Sequence, residues 1–463
     1  MGSSKKLPKN KVAKQRDSTL EKQVRLFLET LFQSQQRNNP SLLVAYSGGL
    51  DSTVLLYVLH QIQKTVSFDL RAMHINHGLS QHADDWADFC QHTCDQLAIP
   101  IDTITVHVAK ESGLGIEAAA RHARYAALNN AAADYICLGH HQDDQAETFL
   151  LQLARGAGVK GLASMAQVDS KRRLLRPLLH EKRSALSDYA TKHRLQWIED
   201  ESNSDTHFDR NFIRHTLIPT FNQRYQDISS TLSRSAMHMA NASLLLDELA
   251  TIDAQLVIDN SHQFGVLRLD ALFNLSPARQ GNLIRWWLAN NQINMPSTAL
   301  LNQILSQLQS KKTDAAIKVN VADDLIVMRY QRHAYLVRQM KKVASINQLW
   351  QGEETLLLPD QSRLTFTKQL GKGFAYERRG QAIQLRIKNR EGGEYFKPAL
   401  GRPRRQLKTV MQASAIPPWQ RAQLPLIFMD ETLVIIPNIG IDAELVAREH
   451  EMGLVVSWEP HTG

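Results

Sequence analysis

The sequence predicts an α/β protein in which an N-terminal doubly wound parallel sheet is followed by a mainly helical domain and a small α/β C-terminal domain. Three observations support that expectation. Apolar strand-like runs alternate with helix-spaced segments up to about residue 153, a glycine pair punctuates the first strand-to-helix junction, and the pattern turns helical near residue 221 before breaking into short β runs near 345.

The first strand is expected at 42–46, and Ser47-Gly48-Gly49-Leu50-Asp51-Ser52 joins it to a helix at 53–62 with Val54, Leu55, Val58 and Ile62 at helical spacing. Strands at 70–75, 101–108 and 135–138 then alternate with helices at 83–97, 116–132 and 143–153, with Pro100, Gly113 and Gly115 at the breaks. Repeated βα units imply a parallel sheet that meets its ligands at the C-terminal strand ends. Those ends are polar here: Ser47 onward, His74 to Gly78, and Gly139 to Asp144.

Beyond residue 221, Ile228, Leu232, Ala236, Met239, Leu246 and Leu249 fall largely at helical spacing, followed by helical stretches at 278–288 and 299–308 and β signals at 316–321, 325–329 and 334–337. The remainder alternates short strands, at 354–358, 363–367, 383–387, 424–428, 433–436 and 454–458, around a basic segment at 390–421. The expected division is a disordered basic arm at 1–20, an α/β domain at 21–218, a helical accessory domain at 219–344 and a C-terminal domain at 345–463.

At 463 residues the chain exceeds what one core usually organises, and 43% hydrophobic with 22% charged residues is an ordinary soluble composition. It lacks a run of 18 apolar residues and a secretory leader, so a cytoplasmic protein with no membrane partner is expected. Cys90, Cys94 and Cys137 are an odd, sparse set that argues for reduced core thiols over a disulfide framework. The net charge of +8 suits a polyanionic partner, and the excess is clustered: Lys5 to Arg16 in the arm, then Lys171-Arg172-Arg173, Lys182-Arg183, Arg378-Arg379 and Arg402 to Lys408.

Two stretches carry chemistry. In the Ser47 to Ser52 turn, glycines let the backbone approach a ligand while the first helix amides stay unpaired and partly positive, an arrangement suited to an anion. Ser47 and Ser52 add hydroxyl donors, and Asp51 could hold a Mg2+ that bridges phosphate oxygens. A plain capped turn is the commoner meaning of such residues, and the flanking strand and helix weigh against it. In the stretch from Gly139 to Thr148, Asp143, Asp144 and Glu147 open a helix at i,i+3 and i,i+4 spacing beside His140 and His141. Acids in a first turn are often dipole complements worth ~0.3–1 kcal/mol each. Crowded opposite the anion turn, they could hold Mg2+, receive an ammonium or take a proton from an attacking amine. Arg121 and Arg124, at i,i+3, could one or both reach phosphate. His74, Asn76 and His77 leave the second strand where a ribose or base would sit, and no further ligand at zinc spacing supports a metal there.

The Ser47 to Ser52 string resembles the SGGxDS signature of the PP-loop ATP pyrophosphatase superfamily, whose members adenylylate a substrate and release pyrophosphate. The series HINHGL, EAAARHARY, LGHHQDDQAETFLLQLARGAG, Asp200-Glu201-Ser202-Asn203 and Arg210-Asn211-Phe212-Ile213-Arg214 resembles the successive motifs of the tRNA(Ile)-lysidine synthase family. Gly392-Gly393-Glu394, Gly401-Arg402, Leu407-Lys408, Pro417-Pro418-Trp419 and Arg421 resemble that family's C-terminal recognition domain in its longer bacterial form. The resemblance covers about residues 40–217 and the end of the chain, and the helical middle by length and type alone.

That resemblance implies two steps. ATP adenylylates the C2 oxygen of the wobble cytidine in an isoleucine tRNA with a CAU anticodon, and free L-lysine then displaces AMP to leave lysidine. It implies ATP binding by Ser47, Gly48, Gly49, Leu50, Asp51, Ser52, His74 and Asn76, and Mg2+ on Asp51 and Asp144. Asp51, Arg121, His140, Asp144 and Glu147 are the implied catalytic set, with Glu147, Asp144 or His140 beside the lysine amine. Asp143, Arg210, Asn211 and Arg214 would meet lysine or tRNA, and Arg402, Arg404, Arg405, Lys408 and Arg421 would recognise tRNA. A homodimer is left open.

Rival readings are a tRNA thiolase, a non-enzymatic RNA-binding protein and a PP-loop enzyme for a small substrate. Thiolation needs a sulfur relay or an iron–sulfur cluster, and the three cysteines offer no CxxC pair. An intact acid cluster opposite an intact phosphate turn argues against loss of catalysis, and two basic accessory domains serve no purpose for a small substrate.

Overall fold

The computed structural model describes residues 18–459 apart from 79, 108–115, 200, 202–204, 261, 311–316, 340–344, 376–383 and 415. Outside the described residues lie positions 1–17 of the expected arm, Gly113 and Gly115, Asp200 with Ser202 and Asn203, Arg378-Arg379, and the end residues 108, 316 and 383 of three expected strands. The chain forms two compact units, residues 1–246 and 247–463.

In the first unit α1 (Thr19–Ser34) begins inside the segment expected to be an arm. The Ser18 hydroxyl accepts the Glu21 amide at 3.2 Å and the Glu21 carboxylate accepts the Ser18 amide at 3.0 Å, a reciprocal cap that starts the helix. Leu20, Val24, Leu28, Leu31 and Phe32 then bury its apolar stripe. The alternation expected from the sequence follows as β1 (Ser41–Ala45), α2 (Leu50–Gln63), β2 (Asp69–Asn76), α3 (Ala83–Leu97), β3 (Ile101–Thr105), α4 (Ile116–Asn129), β4 (Tyr135–Cys137) and α5 (Gln142–Ala154). Next come α6 (Val159–Leu162), the short strands β5 (Val168–Asp169) and β6 (Leu174–Leu175), α7 (Arg183–His193) and α8 (Asp209–Phe212), and the π-helical turn Ile213–Leu217 leads into α9 (Ile218–Arg224) and then α10 (Ile228–Val257), whose last residues, from Asp247, belong to the second unit.

The sheet order is β3-β2-β1-β4-β6-β5, parallel throughout except for β5. Strand β1 is buried at its centre, as a strand covered by helices on both faces must be. One face packs Val44 and Tyr46 against Leu55, Leu59 and Leu186, and the other packs Leu43 and Met73 against Leu128 and Ile136. At about 1.5–3 kcal/mol per fully buried aliphatic side chain, these two layers dominate the unit's stability. Successive strands leave β1 in one direction and β4 in the other, so the chain order reverses between them. In doubly wound sheets that is where a crevice opens above the carboxyl ends of the strands.

The second unit contains two cores. In the first, helices Pro277–Asn290 and Thr298–Gln309 lay Leu283, Ile284, Trp287, Leu301 and Ile304 on an antiparallel sheet whose centre is Leu325–Tyr330 and His333–Arg338. The second is built on a five-stranded antiparallel sheet, from Asn347–Trp350 through Leu385–Lys388, Leu426–Met429 and Thr432–Ile436 to Gly440–Ile441, and a three-stranded one that pairs Arg363–Leu370 with Met452–Glu459.

Candidate active site

The anion turn forms as the sequence requires. Gly48 has φ +81°, and a Cβ there would stand 2.7 Å from Ile198 Cδ1 and 3.1 Å from Cys90 Sγ, so both backbone conformation and space demand glycine. The Gly48 carbonyl accepts the Ile198 amide at 2.9 Å and the Thr53 hydroxyl at 3.2 Å, which pins the turn from behind. Gly49 caps α2 without any side-chain bond, so the helix dipole faces the crevice with its first amides uncovered by a capping side chain. Ser47 and Ser52 hydroxyls lie 3.1 Å apart at its edge.

The loop from β4 to α5 crosses directly over the start of α2. A Cβ on Gly139 would lie 3.0 Å from the Asp51 carbonyl carbon and oxygen and from the Ser52 amide, which is backbone that cannot swing aside. Gly139→Ala is therefore expected to cost about 1–3 kcal/mol and to lower turnover, as overpacking does. Unchanged denaturation midpoint and unchanged turnover would show that the two loops do not need this approach.

His141, named beside the acids in the sequence but given no role of its own there, holds the two loops together. It is almost fully buried and caps α5: its Nδ1 accepts the Asp143 amide at 3.2 Å, and Asp144 Oδ2 accepts the His141 amide at 3.0 Å. With Nδ1 accepting, the ring's proton sits on Nε2, which lies 3.4 Å from Asp51 Oδ2 and 3.5 Å from Asp144 Oδ2. Burial opposes charging this imidazole, but the hydrogen bond to Asp51 and the charges of Asp144, Asp51 and Asp143 outweigh it and raise its proton affinity. To take that proton the ring must release the Asp143 amide.

Behind this junction, Asp144 and Glu147 meet Arg210 and Arg214. Arg210 contacts Asp144 at 2.6 Å and Glu147 at 2.7 Å, and Arg214 contacts Glu147 at 2.6 Å and Asp144 at 3.3 Å. The arginines share a face because they are four residues apart across the π-helical turn, an irregularity common at functional sites. Burial works against ionised Asp144, yet His141 and Arg210 overcome it and hold its pKa at about 2. Arg210 and Arg214, expected to face a lysine carboxylate or tRNA phosphate, are thus already neutralising the acids. Asn211 is buried and donates to the Asp205 carbonyl at 2.9 Å, while Asp143 accepts the Arg183 amide at 3.3 Å.

Other expected contacts are placed differently. His74 is buried with Nδ1 3.0 Å from the Tyr46 carbonyl, and Asn76 accepts the Gly78 amide at 2.8 Å while donating to Asp84 at 3.0 Å. Both side chains brace the strand exit where the sequence places a ribose or base. Arg121 and Arg124 both set their guanidiniums over the Tyr125 ring, at 5.2 and 5.5 Å, but Arg121 is exposed whereas Arg124 is half-buried with its Nε enclosed and unbonded among the described residues. Arg124 is the better placed of the two to meet an anion, and its charge is felt by His77, His140 and Arg210. No cluster of three or more potential metal ligands occurs among the described residues, His74 and His77 included.

Comparison with known proteins agrees with this geometry. The PP-loop domain family matches residues 17–221, the TilS substrate binding domain 267–335 and the TilS substrate C-terminal domain 385–458. The tRNA(Ile)-lysidine synthase of Nitrosomonas europaea is 41% identical over 92% of this chain and 93% of its own. Those of Coxiella burnetii and Actinobacillus pleuropneumoniae are each 37% identical, over 91% and 88% of this chain and 94% and 98% of theirs. The chain belongs to the tRNA(Ile)-lysidine synthase family. Of the motifs singled out in the sequence, the Ser47 to Ser52 turn and the β4–α5 stretch meet at His141, and Arg210 and Arg214 join them through Asp144 and Glu147.

In the region matching the family's C-terminal domain, Arg402, Arg405 and Lys408 are exposed. Arg404 reaches the buried Asp442 at 3.0 Å and Glu444 at 3.5 Å. Arg421 departs from its expected role at the tRNA surface. It is buried, donates to the Ile416 carbonyl at 2.7 Å and the Tyr330 hydroxyl at 3.0 Å, and serves as an internal tie because its donors are aimed inward. Trp419 packs edge-on against Tyr330 and Tyr335 beside it. Cys90, Cys94 and Cys137 are fully buried, and desolvation pushes each thiol up to about 12, a poor environment for a sulfur relay. No helix among the described residues is long and apolar enough to cross a membrane.

Proposed function

We infer that the chain uses ATP to adenylylate the C2 oxygen of the wobble cytidine in isoleucine tRNA with a CAU anticodon and then ligates free L-lysine there. The products are lysidine, AMP and pyrophosphate, and the modified tRNA reads AUA and accepts isoleucine. One observation carries the reading: a turn built for a triphosphate and an acidic helix opening built for an ammonium meet at one imidazole, with Asp51 3.4 Å and Asp144 3.5 Å from His141 Nε2. The names of the relatives supply tRNA(Ile) and lysidine.

The amides opening α2 and the Ser47 and Ser52 hydroxyls take the phosphate charge, helped by Arg124. Asp51 Oδ1 is enclosed without a hydrogen-bond partner among the described residues, which suits an oxygen that ligates a cation, so Asp51 with Asp144 would hold Mg2+. Bound Mg2+ would neutralise charge on the phosphates. Lysine's ammonium exchanges with the guanidiniums on Asp144 and Glu147, and Arg210 and Arg214 turn to its carboxylate. Asp144, held far below the usual carboxylate range, is a poor base, which assigns the amine's proton to Glu147.

The working division is a catalytic domain at 21–218, a helical accessory domain at 219–344 and a C-terminal domain at 345–463, acting in the cytoplasm. The exposed Arg402, Arg405 and Lys408 belong to a surface that meets tRNA phosphates, where shape and charge outweigh base reading. With about four phosphates engaged, affinity should fall on the order of 10²-fold between about 50 and 200 mM salt. A salt-independent dissociation constant removes that surface from the account.

The deciding experiment incubates the protein with ATP, labelled lysine and an isoleucine tRNA transcript carrying CAU, scoring label retained on RNA. A methionine tRNA with the same anticodon is the control. Label on the isoleucine tRNA alone is expected; no label on either RNA ends the reading, and equal labelling removes recognition by the C-terminal region.

A further inference from the structure

We propose that Arg176 is a positioning residue that fixes the tautomer of His140, so that this imidazole faces the reacting nucleotide as an Nε2–H donor and not as a proton acceptor. The proposal rests on the lysidine reading of the site for what is being polarised, and on geometry alone for the tautomer.

Arg176 follows β6, the strand that lies beside β4, and only 5% of it is exposed. Its Nε lies 3.2 Å from His140 Nδ1, its Nη1 donates to the Ala166 carbonyl at 2.7 Å, and its own amide donates to the Gln167 carbonyl at 2.9 Å. Anchored at side chain and backbone, the guanidinium approaches His140 from one fixed direction. A guanidinium has donors only, so Nδ1 must accept, and a neutral ring with Nδ1 accepting carries its hydrogen on Nε2.

The surroundings keep the ring neutral. Burial and the charges of Arg176, Arg210 and Arg124 lower its proton affinity more than Asp144 raises it, bringing the pKa to about 3. His140 therefore stands just past the end of β4, within the field of Asp144, Arg210 and Arg124, as an uncharged dipole with its hydrogen fixed on one nitrogen. Such a group stabilises a phosphoryl oxygen that gains negative charge during adenylyl transfer. It is unsuited to accept a proton from the lysine amine, the role that the sequence left open to it. His141 next to it has the same tautomer, but set by the Asp143 backbone amide, so only His140 depends on a distant side chain.

The test uses the full chain labelled with 15N-histidine, the His140 signals being assigned by their loss in His140→Gln. The wild-type protein is expected to show protonated Nε2 and bare Nδ1; a protonated Nδ1 overturns the proposal without any mutation of Arg176. In Arg176→Met the two tautomers should mix, with kcat for tRNA-dependent pyrophosphate release lowered about 10–100-fold and KM for ATP changed less than about threefold. Arg176→Lys, which can still donate to Nδ1, should recover most of the tautomer and part of kcat. His140→Gln places an amide donor near the Nε2 position and should retain more activity than His140→Leu. Adding Arg176→Met to His140→Gln should cause no further loss; losses that multiply would mean that Arg176 acts only as a strut, and the proposal falls. The tautomer pattern is independent of the reaction, so absence of lysidine with the Nε2–H pattern intact counts against the proposed function and not against the role of Arg176.

Discussion

Asp51→Asn should lower lysidine formation by at least on the order of 10²-fold while leaving tRNA affinity within about twofold of wild type. The substitution keeps the shape of the side chain and removes its charge where the phosphate turn meets the cap of the acidic helix. Asp51 Oδ2 faces His141 Nε2 at 3.4 Å and Oδ1 has no hydrogen-bond partner among the described residues, so the whole anionic group is held ready for a cation or a polarised phosphate. Its contribution to folding is small, because an acid in the first turn of α2 adds about 0.3–1 kcal/mol through the helix dipole. Measuring product, tRNA binding and melting temperature on the same sample separates these effects. Near-normal turnover with the fold intact would remove Asp51 from the chemistry and with it the shared crevice.

Glu147→Gln should be the most destabilising conservative change in the site. Glu147 is 1% exposed and bonds both Arg210 and Arg214, while Asp144 alone remains to balance two guanidiniums once the charge is gone. Removing one partner of a buried ionic cluster costs about 3–5 kcal/mol, mostly from the charges left behind. The denaturant midpoint should fall accordingly and the KM for lysine should rise. Adding Arg214→Met to Glu147→Gln should restore part of the stability, since the uncompensated cation is then gone as well. Strictly additive losses in that pair would show that the acids and arginines do not form one electrostatic unit.

The sequence made the sheet legible because its strands are apolar runs separated by helical periods, as in Leu42 to Val44 and Tyr135 to Cys137, and the glycine turn between β1 and α2 has a purpose only in that setting. The site was legible at Asp51, Asp144 and Glu147, whose spacing already placed the last two on one helical face. The role of His141 was not legible, because it lies in a backbone cap and in the loop brought over α2 by Gly139, neither of which has a periodic signature. Arg176 lies beyond a two-residue strand too short to register as one. Arg421 misled for the opposite reason: a basic residue in a basic segment reads as surface, and only the inward position of Tyr330 shows otherwise. His74 and Asn76 likewise sit where a ligand would, while their hydrogen bonds run to Tyr46, Gly78 and Asp84.

The tie formed by Arg421, Trp419, Tyr330 and Tyr335 gives the last third of the chain a mechanical character. A guanidinium and three aromatic rings join the two hydrophobic cores of the second unit, so removing Arg421 would leave the Tyr330 hydroxyl and the Ile416 carbonyl without the donor that ties them.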